Sequence, residues 1–316
     1  MGDRRYDVIG LGYCSADYLG VVPGVPAFDA DTVNMAEFAT DGGGPVSTAL
    51  VTLARLGASV AYLGVLGDDP AGRFLQSEFQ REGVATRHVL VQPGGRTPCC
   101  MVLVQAGTGR RSFMCYRGTL REVVLTDAAR ADLRRARLLH VDGHSLGAVE
   151  EAAAIIHEAG GQVMFDANRM RPSIERFLAC TDILIAATRF PTAFTGADDL
   201  AEASRRLLAT GPTTIVTTLG PDGCFCLTQD EAFHEPGFRV PVTDTTGAGD
   251  AFHGAFLYGL LKRWELRHTA RFANAVAALN CRALGGRRGL PTLGEVDALL
   301  EKQQDGQDRQ DVGVMQ

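Results

Sequence analysis

Residues 137–190 alternate between short strand-like runs and longer helical patterns, and this alternation constrains the fold more than any other feature of the sequence. The segments RLLHVDGHS, QVMFDANRMRPS and DILIAATRF each contain a short apolar run, and AVEEAAAIIHEAG and IERFLAC between them have helical spacing. Strands that are joined through helices pair in parallel, and the helices cover both faces of the sheet. The sequence therefore predicts an α/β fold with a doubly wound, mostly parallel sheet, whose binding groups lie at the carboxyl ends of the strands.

No repeat and no Pro-, Gly- or Ser-rich linker divides the chain of 316 residues. We therefore expect a single domain over residues 1–302. The last residues, 303–316, are polar and rich in Gln and Asp, which predicts a disordered tail.

Composition and charge exclude several classes of protein. A net charge of −6 argues against an extended nucleic-acid surface, and no apolar stretch reaches the roughly 18 residues of a membrane span. The first ten residues lack the apolar segment of a signal peptide, so we predict a cytoplasmic protein that binds neither nucleic acid nor membrane. The eight cysteines show no paired C-x-x-C spacing, which predicts reduced thiols without a disulfide or a zinc site.

The glycine-rich turn at 245–249 precedes a helical pattern that starts at Ala251. Val240 and Val242 alternate as in a short strand, so we expect a strand to pass into a helix through this turn. The start of a helix has free N–H groups and a partial positive charge, and glycines let an anion approach the backbone closely. Asp250 in the first helical turn would place a carboxylate beside that anion.

A carboxylate next to such an anion site suits phosphoryl transfer, because it can accept the proton of an alcohol while the N–H groups stabilise the phosphoryl group. The alternative is that Asp250 only favours the helix start and the glycines only shape the turn. The only lysines are Lys262 and Lys302, and no GxxxxGK[ST] motif occurs, so any nucleotide is bound by a different design from the P-loop.

The string DTTGAGD resembles the signature of the ribokinase-like (PfkB) carbohydrate kinases. The stretch GGGPVSTALVTLARLGA, the Asp-x-Asn pattern of DANRMR and the TLG-x-x-G pattern of TLGPDG are also similar to that family, and the resemblance covers residues 5–292. It implies an ATP-dependent carbohydrate kinase in which Mg²⁺ accompanies the nucleotide. It also implies a small β-sheet lid, formed by segments near 12–41 and 96–118, through which two copies form a homodimer.

The resemblance also implies roles for individual residues. His144, at a strand end, is interpreted as a structural or substrate-orienting group rather than a base. Asp29 and Asp31 are either acceptor contacts or surface acids, and Tyr116 and Arg117 are candidates to face the substrate. The catalytic set is Asp250 as general base with the N–H groups of Gly247, Ala248 and Gly249; the sugar set is Asp17, Gly43, Gly44, Thr48 and Arg171; the nucleotide set is Thr218, Gly220, Asn274, Ala278 and Gly286.

Two departures from the family pattern bear on the metal and on the acceptor. Ala187 and Phe190 stand where many relatives have the Asn-x-x-Glu that organises magnesium, so no protein ligand to the metal is predicted. The VDGHS and GGGP segments are similar to ketohexokinase and sulfofructose kinase, which implies a ketohexose or a similar sugar. Asp142 replaces an arginine of sulfofructose kinase relatives, which favours a neutral acceptor. Alternatives are a nucleoside kinase and a non-catalytic sugar or nucleotide sensor.

Overall fold

The computed structural model describes residues 6–29 and 32–302, so Asp31 and the predicted tail lie outside the described residues. Two sheets form the framework. The strands of the larger sheet are β1 (Val8–Leu11), β4 (Val60–Gly67), β5 (Ala85–Gln92), β8 (Leu138–Val141), β9 (Gln162–Ala167), β10 (Ile183–Ala187), β11 (Thr214–Thr218), β12 (Cys224–Leu227) and β13 (Ala232–Glu235). Those of the smaller sheet are β2 (Ser15–Val22), β3 (Glu37–Gly43), β6 (Cys99–Gln105) and β7 (Arg111–Tyr116).

The described strands of the larger sheet lie in the order β13-β12-β11-β10-β9-β8-β1-β4-β5. The strands from β11 to β5 pair in parallel, and β12 and β13 add an antiparallel edge. The described helices are α1 (Pro45–Arg55), α2 (Pro70–Arg81), α3 (Asp127–Leu133), α4 (Leu146–Glu158), α5 (Ile174–Ala179), α6 (Phe190–Thr195), α7 (Leu200–Leu208), α8 (Ala248–Lys262) and α9 (Leu266–Asn280), with residues 293–302 also helical.

Hydrophobic residues are buried on both faces of this sheet. Along β10, Ile183 and Ile185 join one apolar cluster, which includes residues of α1, α8 and α9, while Leu184 and Ala186 join a second cluster with α4, α5 and α7. Successive side chains of a strand point to opposite faces, so this strand must be covered by helices on both sides. The predicted doubly wound α/β fold is confirmed.

The smaller sheet has the order β3-β2-β6-β7 and forms the lid, as the sequence predicted. Its strands come from the two predicted lid segments, and Asp17, Cys100 and Cys115 occupy one row across β2, β6 and β7. Tyr18, Met101 and Met114 form the next row, which lies on the opposite face of the sheet.

Two sequence expectations about local structure were wrong. Residues 240–243 form no strand, because no neighbouring strand pairs with them; instead the Thr243 N–H donates to the Cys281 carbonyl at 2.8 Å. Cys100 and Cys115 are joined by a disulfide rather than reduced. The antiparallel register of β6 and β7 places these two residues directly opposite each other, and spacing in the sequence does not reveal that register.

No helix within residues 6–29 and 32–302 has the length and apolar character that a membrane span requires.

Candidate active site

A cavity of about 1460 Å³ lies between the lid and the carboxyl ends of the parallel strands. Residues that follow β1, β8, β9 and β10 line one wall, and the inner face of the lid lines another. Every residue of the predicted catalytic, sugar and nucleotide sets lies on its wall: Asp17, Gly43, Gly44, Thr48, Arg171, Thr218, Gly220, Gly247, Ala248, Gly249, Asp250, Asn274, Ala278 and Gly286. The fold therefore brings together segments that are up to 269 positions apart (286 − 17).

The turn before α8 is held in place by Asp244, which sequence reasoning did not single out. One carboxylate oxygen of Asp244 accepts hydrogen bonds from the N–H and hydroxyl of Thr246, at 2.9 and 2.8 Å, and the other accepts from the Gly285 N–H at 3.0 Å. Gly247 has φ 71°, and a Cβ there would lie 2.7 Å from the Gly286 Cα. The first acid of the DTTGAGD motif and its first glycine thus fix the turn against the 285–286 loop.

The start of α8 leaves backbone donors open to the cavity. The Ala248 N–H donates to the Thr245 carbonyl at 3.3 Å, but no hydrogen bond among the described residues uses the N–H of Gly247 or Gly249. A Cβ on Gly249 would meet no atom within 4 Å, so an anion can approach the backbone there. The Arg111 guanidinium also hydrogen bonds to the Thr245 hydroxyl. Free N–H groups, the helix dipole and a guanidinium suit a phosphate.

Asp250 lies beside these donors, in the first turn of α8. Burial, together with the charge of Asp166, raises the pKa of Asp250 to about 6, although His253 and Arg111 oppose the shift. The His253 ring is held by its Nδ1, which donates to the Gly249 carbonyl at 2.7 Å. A carboxyl whose pKa lies close to neutral pH is suited to accept a proton and to release it again.

Asp17 lies on the lid side of the cavity, against the glycine turn that opens α1. One of its oxygens accepts a hydrogen bond from the Ser15 hydroxyl at 2.7 Å, and burial raises the pKa of Asp17 to about 7. A Cβ on Gly43 would lie 2.0 Å from the other oxygen of Asp17, so only glycine fits. The Thr48 N–H donates to the Gly44 carbonyl at 2.9 Å, which starts the helix in this wall.

A buried arginine that the sequence did not indicate packs against this wall and stabilises it. Arg287 donates to the Gly43 carbonyl at 3.2 Å, to the Ser47 hydroxyl at 2.9 Å and to Glu78 at 2.5 Å, and its backbone N–H donates to Asp41 at 2.9 Å. The arginine belongs to the GGRRG loop, and contacts with α1, α2 and β3 bury it.

His144 belongs to a bonded cluster at the end of β8. Its Nδ1 lies 2.9 Å from Asp142, and its ring stacks on Tyr13 at 5.0 Å between ring centres. Asp142 also accepts the Tyr13 N–H at 2.7 Å. Burial opposes ionisation of Asp142, but His144 and these hydrogen bonds lower its pKa overall. Arg171 completes the cluster, with one guanidinium nitrogen 3.2 Å from His144 Nε2.

The residues predicted for the nucleotide line the cavity at the end of β11, on α9 and in the 285–286 loop. Thr218 ends β11, and Gly220 begins a short 3-10 turn with φ 63°. The side-chain amide of Asn274 donates to the Glu235 and Pro236 carbonyls at 3.1 and 3.3 Å. Asn274 therefore ties α9 to the loop after β13, besides lining the cavity.

The described residues do not offer a magnesium site of their own. Ala187 has no ligating side chain, and Phe190 is buried and stacks on Phe194. No group of three His, Cys, Asp or Glu side chains in the described part of the chain could hold a metal ion. Among the remaining candidates, Arg117 lines the cavity, whereas Asp29 is exposed outside it. Tyr116 is half exposed, on the outer face of the lid, and does not line the cavity.

Comparison with known proteins agrees with this architecture. Residues 7–293 match the model of the pfkB family carbohydrate kinases. Fructokinase-1 of Zea mays is 32% identical over 96% of this chain and 100% of its own length, and aminoimidazole riboside kinase of Salmonella typhimurium is 30% identical over 82% and 87%.

A solved structure supports the fold. The chain superposes with a TM-score of 0.82 on Arabidopsis thaliana ribokinase complexed with ribose and ATP, at 23% identity over 93% of this chain and 98% of that one. At this identity the superposition establishes the fold alone. The family match over residues 7–293 establishes the class of enzyme: the chain belongs to the pfkB family of carbohydrate kinases and is a sugar kinase with a ribokinase-like fold.

Proposed function

We propose that this kinase transfers the γ-phosphoryl group of ATP to a hydroxyl group of its sugar acceptor, with Asp250 as the general base. The observation that carries the proposal is the position of Asp250 beside the free N–H groups of Gly247 and Gly249, in a cavity that also holds Asp17. A base and an anion site that open into one cavity allow an acceptor hydroxyl to lie between them.

In this proposal each group has a separate task. Asp17 and the turn at Gly43 and Gly44 orient the acceptor, and Asp250 takes the proton of the attacking hydroxyl. The N–H groups at the start of α8 stabilise the negative charge that develops on the transferred group. Arg111, which is bonded to Thr245, adds a positive charge to the same place. The lid excludes water, which would otherwise compete for the phosphoryl group.

ATP would lie at the far end of the cavity, along Thr218, Gly220, Asn274, Ala278 and Gly286. We treat Mg²⁺ as part of the substrate, because it travels with the nucleotide and neutralises the β- and γ-phosphates. The described residues contain no cluster of metal ligands, so we assign no protein ligand to the ion.

We also propose a homodimer through the lid. The row Tyr18, Met101 and Met114 on its outer face is 37%, 46% and 54% exposed, and Phe38 on the same sheet is 60% exposed. Exposed apolar side chains grouped on one face indicate a binding surface. A second copy, which brings the same face, would cover them.

Replacement of Asp250 by asparagine tests the central step. Loss of a positioned general base reduces turnover by about 10² to 10⁴, so the Asp250→Asn variant should lose activity on this scale while it still binds MgATP. ADP release and ³¹P NMR of the product would measure the effect, with circular dichroism to verify folding. Asp230→Asn, an exposed acid outside the cavity, is the matched control.

Turnover of Asp250→Asn within a few-fold of the wild type would remove Asp250 from the mechanism. The acceptor panel should include ribosides, because one relative is named an aminoimidazole riboside kinase. If ribosides are phosphorylated faster than sugars, the chain is a nucleoside kinase. If sugars bind but no acceptor is phosphorylated, the chain is a sensor.

A further inference from the structure

Four arginines line the lid end of the cavity, where the acceptor would lie. Arg117 follows β7 of the lid, Arg121 lies a few residues further, and Arg169 and Arg171 follow β9. Two separate segments thus bring positive charge to one place. A neutral sugar does not require such a group of charges.

The first of these segments crosses from the lid to the main sheet. Near Arg117, the Thr119 N–H donates to the Arg96 carbonyl at 3.0 Å, and further along the Val123 N–H donates to the Ser145 hydroxyl at 3.1 Å. Ser145 immediately precedes α4 and follows β8. The segment is therefore anchored at both ends beside the cluster that contains His144.

Arg171 reaches the same place from the other side. Its guanidinium lies 3.3 Å from the Gly143 carbonyl and 3.2 Å from His144 Nε2, so it extends over the end of β8. In the sheet, β8 lies between β9 and β1, which leads into the lid, and β10 and β11, which border the proposed nucleotide end, lie on the opposite side of β9. Arg171 therefore points toward the acceptor end and away from the proposed position of ATP.

These guanidinium groups have no carboxylate partner. In the described part of the chain, no hydrogen bond or ion pair engages the guanidinium of Arg117 or Arg169, and Arg171 contacts a carbonyl and an imidazole. Some arginines elsewhere pair with acids, as Arg55 does with Glu82 and Arg176 with Glu150. Burial and the charges of Arg169 and Arg117 lower the pKa of Arg171, although Asp142 and Asp166 oppose the shift. A bound anion would offset this crowding of like charge.

The nearby acids form no ion pair with these arginines among the described residues, although the charges of Asp142 and Asp166 partly offset that of Arg171. Glu122 is exposed on the crossing segment, and no ion pair joins it to these arginines among the described residues. Asp142 is fully buried, and both of its oxygens are already used by the Tyr13 N–H and by His144. The sequence favoured a neutral acceptor because Asp142 stands in place of an arginine, but Arg117 and Arg171 bring positive charge to the cavity from other segments.

We infer that the sugar acceptor carries an oxyanion group, a carboxylate or a phosphate, and that Arg171 and Arg117 bind it. The inference rests on the proposed function, since it assigns the substrate class of the same site. The planar guanidinium of arginine can form two parallel hydrogen bonds to a carboxylate or a phosphate. Asp250 would then act on a hydroxyl at the other end of the acceptor.

Acceptor binding in the absence of ATP tests the inference independently of turnover. The probes are a neutral ketohexose, a keto-sugar acid of the same chain length and the ketohexose phosphate, measured by isothermal titration calorimetry. Hydrogen bonds to a charged group correspond to about 10- to 100-fold in affinity, so one of the anionic probes should bind more tightly than the neutral sugar by this factor. The probe that does so identifies carboxylate or phosphate.

Variants then assign the effect to the arginines. Arg171→Gln and Arg117→Gln should each weaken binding of the anionic probe by about 10- to 100-fold, and by more than they weaken binding of the neutral sugar. Arg171→Lys keeps the charge without the planar fork and should restore part of the affinity. Arg134→Gln, an exposed arginine outside the cavity, is the control, and thermal unfolding would verify that each variant folds.

The inference would be overturned if the neutral sugar bound as tightly as both anionic probes, or if the protein showed no preference for an anion. Equal weakening of all probes by Arg171→Gln would also do so, because it indicates a structural role. An ADP-release assay with the same acceptors keeps the two proposals apart. If anionic acceptors bind but none is phosphorylated, the proposed function fails and the inference stands. If only neutral sugars are bound and phosphorylated, the proposed function stands and the inference fails.

Discussion

The buried ion pair between Arg287 and Glu78 gives a prediction whose size can be derived from the structure. The two side chains are 1% and 2% exposed, and their nearest nitrogen and oxygen are 2.5 Å apart. Glu78 also accepts the Gly42 N–H at 3.2 Å. Asp41 also lies beside Arg287, but it accepts a hydrogen bond from the backbone N–H of Arg287 and not from its guanidinium. Glu78→Gln would therefore leave a guanidinium in the interior without the carboxylate that pairs with it.

Removal of one partner from a buried ion pair costs about 3–5 kcal/mol, because the other charge stays buried and uncompensated. We expect Glu78→Gln to lower the free energy of unfolding by this amount. Urea denaturation measures it, followed in parallel by circular dichroism and by the fluorescence of Trp264, the single tryptophan. Coincidence of the two transitions would establish that unfolding is two-state. If the free energy of unfolding depends on urea concentration with the same slope in both proteins, a shift of the midpoint reflects a change in stability.

A double-mutant cycle isolates the interaction energy between Arg287 and Glu78 from the effects of each substitution on the surrounding residues. Arg287→Met removes the charge and keeps much of the side-chain length, so the Glu78→Gln, Arg287→Met double variant should be less destabilised than the sum of the single variants. The exposed pair of Arg206 and Glu202 supplies the control, and Glu202→Gln should unfold close to the wild type. A loss below about 1 kcal/mol for Glu78→Gln would refute the reasoning from desolvation.

Two further predictions concern catalysis and assembly. Because Asp250 must be ionised to accept a proton and its raised pKa is about 6, kcat/KM should be constant well above this value and should fall about tenfold per pH unit below it. Measurement of kcat/KM against pH, with circular dichroism at each pH, tests this, and a flat profile down to about pH 4.5 would exclude Asp250 as the base. Met101→Glu, in the centre of the outer lid face, should convert the proposed dimer to a monomer in sedimentation equilibrium, whereas Leu293→Glu, outside the lid, should not. A dimer that survives Met101→Glu would place the interface elsewhere.

The sequence alone was sufficient for features that depend on local chain geometry. The alternation of strand and helix patterns predicted the parallel sheet, because the spacing of apolar residues along a segment reflects which side of that segment is buried. The DTTGAGD turn and the helix that begins at Ala248 were likewise predictable, since a glycine-rich helix start creates an anion site by itself. The residues of the predicted catalytic, sugar and nucleotide sets line one cavity, whereas the candidates Asp29 and Tyr116 do not, and the functional roles of all of them remain predictions.

Contacts between distant segments were decided only by the tertiary structure. Arg287 and Glu78 are 209 residues apart, and their pairing follows from the packing of α2 against the 285–289 loop. The register of β6 and β7 brings Cys100 and Cys115 together, and Asp142 accepts a hydrogen bond from the backbone N–H of Tyr13, which is 129 positions away. No periodicity along the chain encodes such neighbours, because side-chain contacts across elements depend on how those elements pack.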